Sequence, residues 1–353
     1  IIPAIPDRDK LGQINMLTEY LKNEFNLKPT GMWLAERVWE GHLPKILSTA
    51  GIEYTVLDDY HFISSGIQEE DLTGYYITEE QGYTLKIFPI NQNLRYYIPW
   101  KTVQDTMEYF KSRKTDTETI CLTMADDGEK YGLWPQTYKL VYEDKWLDKF
   151  FNALEENSDW ITTLTFSELL KLLEPKGRVY LPTGSYFEMT EWALPEKSQE
   201  ELQDVIKEID NLNIKEKISK FLRGSHWRNF LAKYHESNNM HKKMLYVSQK
   251  VESLELKVKR KKVKSKSIYQ ARKCLYAGQC NCAYWHGVFG GLYLPHLRSA
   301  IYKNLIEAEV LIDKIQKKSY GKSVSDVKIS VFDFDSDVKK EIIFESPSQN
   351  LYF

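Results

Sequence analysis

The sequence predicts an α/β protein: a β/α barrel, then a helical domain, then the opening of an all-β domain. Three observations carry this reading. From residue 1 to about 195, short apolar runs alternate with amphipathic helical stretches, and runs buried on both faces and joined by helices mark a parallel sheet. Over 196–318, charged and apolar residues recur at helical spacing with few strand candidates. Over 319–353 the pattern turns back to strands in VKISVF and KEIIF, the start of a β-domain that the chain does not finish.

The elements follow in order. Asp9 to Asn26 places Leu11, Ile14, Leu17, Leu21 and Phe25 on one helical face. GMWLA (31–35) is a compact apolar run, followed by a short helix that Pro44 can start and Gly51 can end. The pattern repeats with EYTVL (53–57), TLKIFPI (84–90), TICLTMA (119–125), WITTLTF (160–166) and RVYLP (178–182). Helical stretches at 101–113 and 135–155 separate several of them. About six such units suit a closed barrel better than an open sheet. The segments EELQDVIKEIDNL, KEKISKFL and YKNLIEAEVLIDKIQ make the helical domain.

Composition narrows the function. The 48 Lys and Arg against 50 Asp and Glu leave a net charge of −2, which argues against a nucleic-acid or membrane coat, since both need a basic excess. KVKRKKVKSK (257–266) carries seven Lys or Arg, but without interleaved aromatics it reads as a solvated loop or helix end. No run of 18 apolar residues occurs. Four cysteines are too few for a disulfide scaffold. Aromatic content is high at 13%, and flat amphipathic rings are what a protein lays against sugars. The chain opens on Ile1 without a targeting pattern and closes on strand-like residues. Both ends therefore read as cut, and we expect the chain alone to be inactive.

The chemistry rests on carboxylates. There is no G-x-S-x-G, Walker loop, G-x-G-x-x-G or H-E-x-x-H. Glu36 follows GMWLA, while Asp126 and Asp127 follow TICLTMA and continue into Gly128 and Glu129. In a β/α barrel the C-terminal strand ends face the active site. Two such acids among Trp33, Trp39 and Trp134 suggest glycoside hydrolysis or transfer. The other reading pairs Glu36 with Arg37 or a lysine, merely closing the barrel mouth, and spacing does not separate the two. Cys274, Cys280, Cys282 and His286 do not make a usual zinc pattern. In DFDSDVKKE, Asp333, Asp335, Asp337 and Glu341 stand at loop positions 1, 3, 5 and 9. That suits a structural calcium, although Val338 stands where such loops want glycine; the alternative is a plain charged turn.

Four longer blocks, GMWLAERVWE, ADDGEKYGLWP, LPTGSYFEMTEWALP and YWHGVFGGLYLPHLR, resemble in order and spacing the motifs of glycoside hydrolase family 57. The likeness covers nearly the whole chain and is nearest to the 4-α-glucanotransferases and related α-amylases. It implies a (β/α)7 barrel (1–195, lacking its first strands), a helical domain completing the cleft (196–318) and the start of a β-sandwich (319–353). It also implies an intracellular enzyme acting on α-1,4-glucans or maltooligosaccharides with retention, needing no cofactor for catalysis and binding neither nucleic acid nor membrane. Position by position, Glu36 matches the family nucleophile and Asp127 the acid/base. Glu129 matches a further site acid, with Asp126 beside it. Trp33, Trp134 and Trp285 match sugar platforms, and His286 lines the same cleft. One departure is Cys282 in QCNCAYW, where glucanotransferase-like relatives carry Asp. The alternatives are an α-amylase on the same scaffold, a catalytically silent glucan-binding protein, and a metal-dependent deacetylase or mannosidase. The last needs His/Asp ligand pairs at strand ends that this segment lacks.

Overall fold

The computed structural model describes residues 1–260, 266–320, 327–346 and 348–353. By compactness the chain divides into a sheet unit, Tyr20–Tyr186 with Ile209–Leu222, and a helical unit, Ile1–Glu19 with Phe187–Glu208 and Arg223–Phe353.

The sheet unit is α/β. Its five strands are β1 (Gly31–Met32), β2 (Tyr54–Asp58), β3 (Tyr76–Glu80), β4 (Tyr83–Ile90) and β5 (Gly177–Arg178), in the order β1-β2-β4-β3-β5. β1, β2 and β4 run parallel, with Tyr54 opposite Lys86 and Asp58 opposite Ile90. Thr55, Val56 and Leu57 are all buried. Both faces of β2 are therefore covered, which explains a continuous apolar run instead of an alternation. β3, which the sequence reading did not single out, pairs antiparallel with β4 through Gln81 and Gly82 at φ 53° and 83°. That two-residue turn has the twist a hairpin needs, and Gly82 supplies its half without strain. Val56, Tyr75, Phe88, Ile90 and Leu169 form one core cluster; Leu94, Ile98 and Trp146 form a second.

Four expected strands are corrected; of RVYLP only Arg178 keeps strand pairing, in β5 with Gly177. TICLTMA forms no ladder, because its hydrogen bonds are split between two neighbours. Cys121 N–H donates to the Thr73 carbonyl at 3.0 Å, and Thr123 makes an isolated bridge with Ile90. Its side chains still alternate, Cys121 and Ala125 toward the first cluster, Leu122 and Met124 toward the second. WITTLTF instead leads into the helix Phe166–Leu172, because Thr165 and Glu168 make a reciprocal capping box. GMWLA keeps strand pairing only at Gly31 and Met32, since the chain then turns through Ala35–Arg37.

The helical unit is built on His235–Arg260, Lys266–Ala277 and Pro295–Tyr320. Met240, Met244, Val247, Val251, Leu254 and Val258 are buried at alternating steps of four and three residues, the spacing of a helix seam. Ile301, Leu305, Ala308, Ile312 and Ile315 repeat it. A Cβ on Gly278 would lie 2.5 Å from Leu305 Cδ2, so this close approach needs glycine. β6 (Lys328–Phe332), β7 (Glu341–Glu345) and β8 (Asn350–Tyr352) form an antiparallel sheet in that order. Charge ties it to the first long helix: Lys250 pairs with Glu345 and with Glu309, the latter at 2.7 Å. Burial pushes Glu345 up, but hydrogen bonds from Lys250 and Lys328 prevail and bring it down to about 2. Of the basic stretch, 257–260 ends the helix, and 261–265 lie outside the described residues. Among the described residues no helix is long and apolar enough to cross a membrane.

Candidate active site

The Glu36 segment begins where β1 stops pairing. Glu36 and Arg37 both take left-handed backbone, at φ 54° and 46°, a conformation that costs about 1–2 kcal/mol for a residue with a Cβ. Several contacts over-determine it. Arg37 N–H donates to the Leu34 carbonyl at 2.8 Å, and Trp39 pairs with Gly184 in both directions at 2.7 and 3.1 Å. A ring nitrogen of the buried His61 lies 3.0 Å from the Arg37 carbonyl. The Arg37 side chain is turned inward, its Nε donating to Asp58 Oδ2 at 2.9 Å. Its guanidinium lies over Tyr186 at 4.5 Å and Trp33 at 5.3 Å. The Tyr186 hydroxyl donates to Glu36 Oε2 at 3.1 Å. A strained turn gripped on several sides holds this carboxylate.

Asp127 precedes the tight turn Gly128–Tyr131, and its N–H donates to Asp126 Oδ1 at 2.9 Å. The Asp126 carboxylate points inward: its side chain is 2% exposed, pairs with Lys130, and lies 3.5 Å from Arg95 Nε. That last contact is ionic only, since Arg95 Nε lacks hydrogen-bond geometry. Arg95 NH1 in turn donates to Asp58 Oδ1 at 2.9 Å. Burial alone would raise Asp58, but Arg37 and Arg95 outweigh it and hold the carboxyl below its ordinary range. Its neighbour Asp59 lacks such cations and is pushed by burial up to about 7, though it accepts from Gln92 N–H at 3.0 Å and Tyr60 N–H at 2.8 Å.

Other expected site residues fall out differently. Trp33 is 42% exposed, Trp134 is half-buried and Glu129 is exposed. Asp126 is a buried partner of Arg95 and Lys130, an arrangement unlike that of an open sugar-binding acid. Trp285 and His286 belong to the helical unit. Trp285 is 6% exposed and stacked on Trp192 with centroids 6.1 Å apart, so it presents little open face for a sugar. His286 Nδ1 bonds the Gly290 carbonyl within its own loop. Asp333, Asp335 and Glu341 converge with ligand oxygens within 4.8 Å of one another. Asp337 stands outside that group and gives its N–H to Asp333 and Asp335. Val338 takes φ 78°, the conformation for which glycine was wanted. The sequence reading missed Asp58, Arg95, Lys130 and Tyr186. Asp58 had the same signal as Glu36, an acid closing an apolar run, and Tyr186 lay inside a quoted motif.

A parallel sheet with one carboxylate in the turn after β1 and another in the turn after the segment bridged to β4 fits a class of sugar-cleaving proteins. The chain belongs to glycosyl hydrolase family 57: the family model of that description matches residues 1–182. A second model, described as alpha-amylase/4-alpha-glucanotransferase, middle domain, matches residues 225–312. The chain is 47% identical over 352 residues to Alpha-amylase 1 of Dictyoglomus thermophilum, covering 100% of itself and 49% of that protein. It is 42% identical over 346 residues to the 4-alpha-glucanotransferase of Thermococcus litoralis, covering 98% of itself and 48% of that protein. The crystal structure of that glucanotransferase matches with a TM-score of 0.86, over 98% of this chain and 50% of the other. The chain thus spans about half the length of the curated relatives it matches.

Proposed function

We propose that this chain carries the reacting pair of a retaining enzyme on α-1,4-glucans, and that the whole protein is a 4-α-glucanotransferase. In this reading the parallel strands belong to a (β/α)7 barrel with its cleft at their C-terminal ends. The observation that carries the reading is the setting of Glu36. Its carboxylate is held in a strained turn and bonded to Tyr186, while the adjacent Arg37 is engaged by Asp58. The alternative pairs Glu36 with Arg37 or a lysine; the engagement of Arg37 by Asp58 speaks against the first of these.

Glu36 attacks the anomeric carbon as the glycosidic C–O bond breaks, and protonated Asp127 gives its proton to the departing oxygen. A glycosyl ester on Glu36 results. Asp127, now a carboxylate, takes the proton of an acceptor hydroxyl, whose oxygen attacks the same carbon and frees Glu36. Trp33 and Trp134 supply rings against sugar faces, and Glu129 supplies an exposed acid for sugar hydroxyls.

An α-amylase is the second reading, because relatives with both names match over nearly the whole chain. It differs only in whether water or sugar is the acceptor. Incubation of the full-length protein with maltotriose separates them: longer oligomers with released glucose mean transfer, and only shorter products mean hydrolysis. No change in maltotriose at all would count against both.

A further inference from the structure

Two segments of the sheet unit that are far apart in sequence, the Glu36 turn and the Asp127 turn, are each backed by a buried ion of the neighbouring residue. Arg37 is 6% exposed at its side chain and Asp126 is 2% exposed. Between them stand Asp58, at the end of β2, and Arg95, in the helix Gln92–Tyr97. Asp58 accepts from both arginines at 2.9 Å, one on each oxygen. Arg95 reaches on to Asp126 at 3.5 Å, and Lys130 closes the end by pairing with Asp126 and bonding the Arg95 carbonyl.

We propose that Asp58 and Arg95 are positioning residues, which hold the turns bearing Glu36 and Asp127 in register through one buried chain, Arg37–Asp58–Arg95–Asp126. This rests on the assignment of Glu36 and Asp127 as the reacting carboxylates. Three features argue for it. The chain has no gap, since each member's charged group meets the next within 3.5 Å. Each end is one residue from a proposed reacting group, and at the far end Asp126 Oδ1 also takes the Asp127 N–H. Finally, a purely structural site could be apolar at less desolvation cost, because buried ion pairs contribute little net stability. The two hydrogen bonds on Asp58 fix direction at the centre of the chain, and the Arg95–Asp126 ion pair carries it onward; a catalytic pair needs its geometry held to within about 0.5 Å.

The test uses the full-length enzyme with Arg95→Gln, Arg95→Lys and Glu36→Gln, each assayed on maltooligosaccharides and on an α-maltosyl fluoride, whose leaving group needs no proton. Arg95→Gln should lose at least tenfold in kcat on the oligosaccharide with KM changed less than threefold. The fluoride should lose less, because displacement of Asp127 hurts most where a proton must be delivered. Arg95→Lys should recover part of kcat. Unchanged kcat in Arg95→Gln overturns the proposal, as does equal loss on both substrates without recovery in Arg95→Lys. So does failure of both Arg95 variants to fold by circular dichroism, which would leave a structural role only. Glu36→Gln keeps the two readings apart: if it stays active, the assignment of the nucleophile fails, whatever Arg95 does.

Discussion

Tyr186 and Glu36 meet through one hydrogen bond, 3.1 Å long and 150 residues apart in sequence. A hydrogen bond to a charged group is worth about 1.5–3 kcal/mol, so Tyr186→Phe should lower kcat/KM about 10- to 100-fold. The Phe ring keeps the stack under Arg37, so the melting temperature should move little; an unchanged kcat/KM with lost stability would make Tyr186 a packing residue. Asp127→Asn should likewise cut turnover of natural glucans severely and of activated donors far less, and equal losses would demote Asp127 to a sugar contact. Glu36 and Asp127 stand out in the sequence as candidates because each closes an apolar run inside a long motif. Asp58 closes one too, yet its meaning depends on Arg37 and Arg95, 21 and 37 residues distant. No local pattern records such a convergence. Trp285 was legible as an aromatic in a motif, but not as a ring packed on Trp192 and Phe230, because burial is set by segments that sequence does not place side by side.

Among the elements, those whose register is fixed by their own pattern were read correctly. The long helices show their seams as fours and threes, and the strands β2 and β4 show as short, largely apolar runs. TICLTMA and WITTLTF were misread for different reasons. The first has strand chemistry but divides its hydrogen bonds between Thr73 and Thr123's bridge to Ile90. The second has β-branched residues, but Thr165 and Glu168 start a helix, a T-x-x-E signature that outweighs local strand preference. The β6–β8 sheet depends on Lys250, which meets Glu309 and Glu345 at once. Lys250→Met takes one cation each from Glu309 and Glu345, which keep Lys243 and Lys328, at a cost of about 1.5–3 kcal/mol. Urea unfolding should show that loss, and hydrogen exchange should show β7 losing protection first. A change below about 0.5 kcal/mol, the range of ordinary surface substitutions, would mean the sheet is held by Tyr246, Phe332 and Phe334 instead.

For the molecule as a whole, pH reports through His241. Its Nε2 donates to the Ala4 carbonyl at 2.8 Å, and burial depresses its pKa from 6.5 to about 4. Between those values the unfolded chain binds the proton and the folded chain does not. Stability from this group is therefore full above pH 6.5 and lost as pH falls through 4, by on the order of 3 kcal/mol. His241→Gln should remove that part of the acid slope in thermal unfolding; an unaltered slope would mean the histidine is charged when folded.

Glu36 is the residue proposed to form the covalent bond to the sugar, and chemical rescue in the full-length enzyme tests it. With an activated α-glucosyl donor, Glu36→Gly should be inactive alone and should recover with azide, yielding the inverted β-glycosyl azide in the product spectrum. Glu36→Gln, with the space still filled, should stay inactive with or without azide. Near-native turnover by Glu36→Gln, or rescue that yields only the α-glycosyl azide, would contradict the claim.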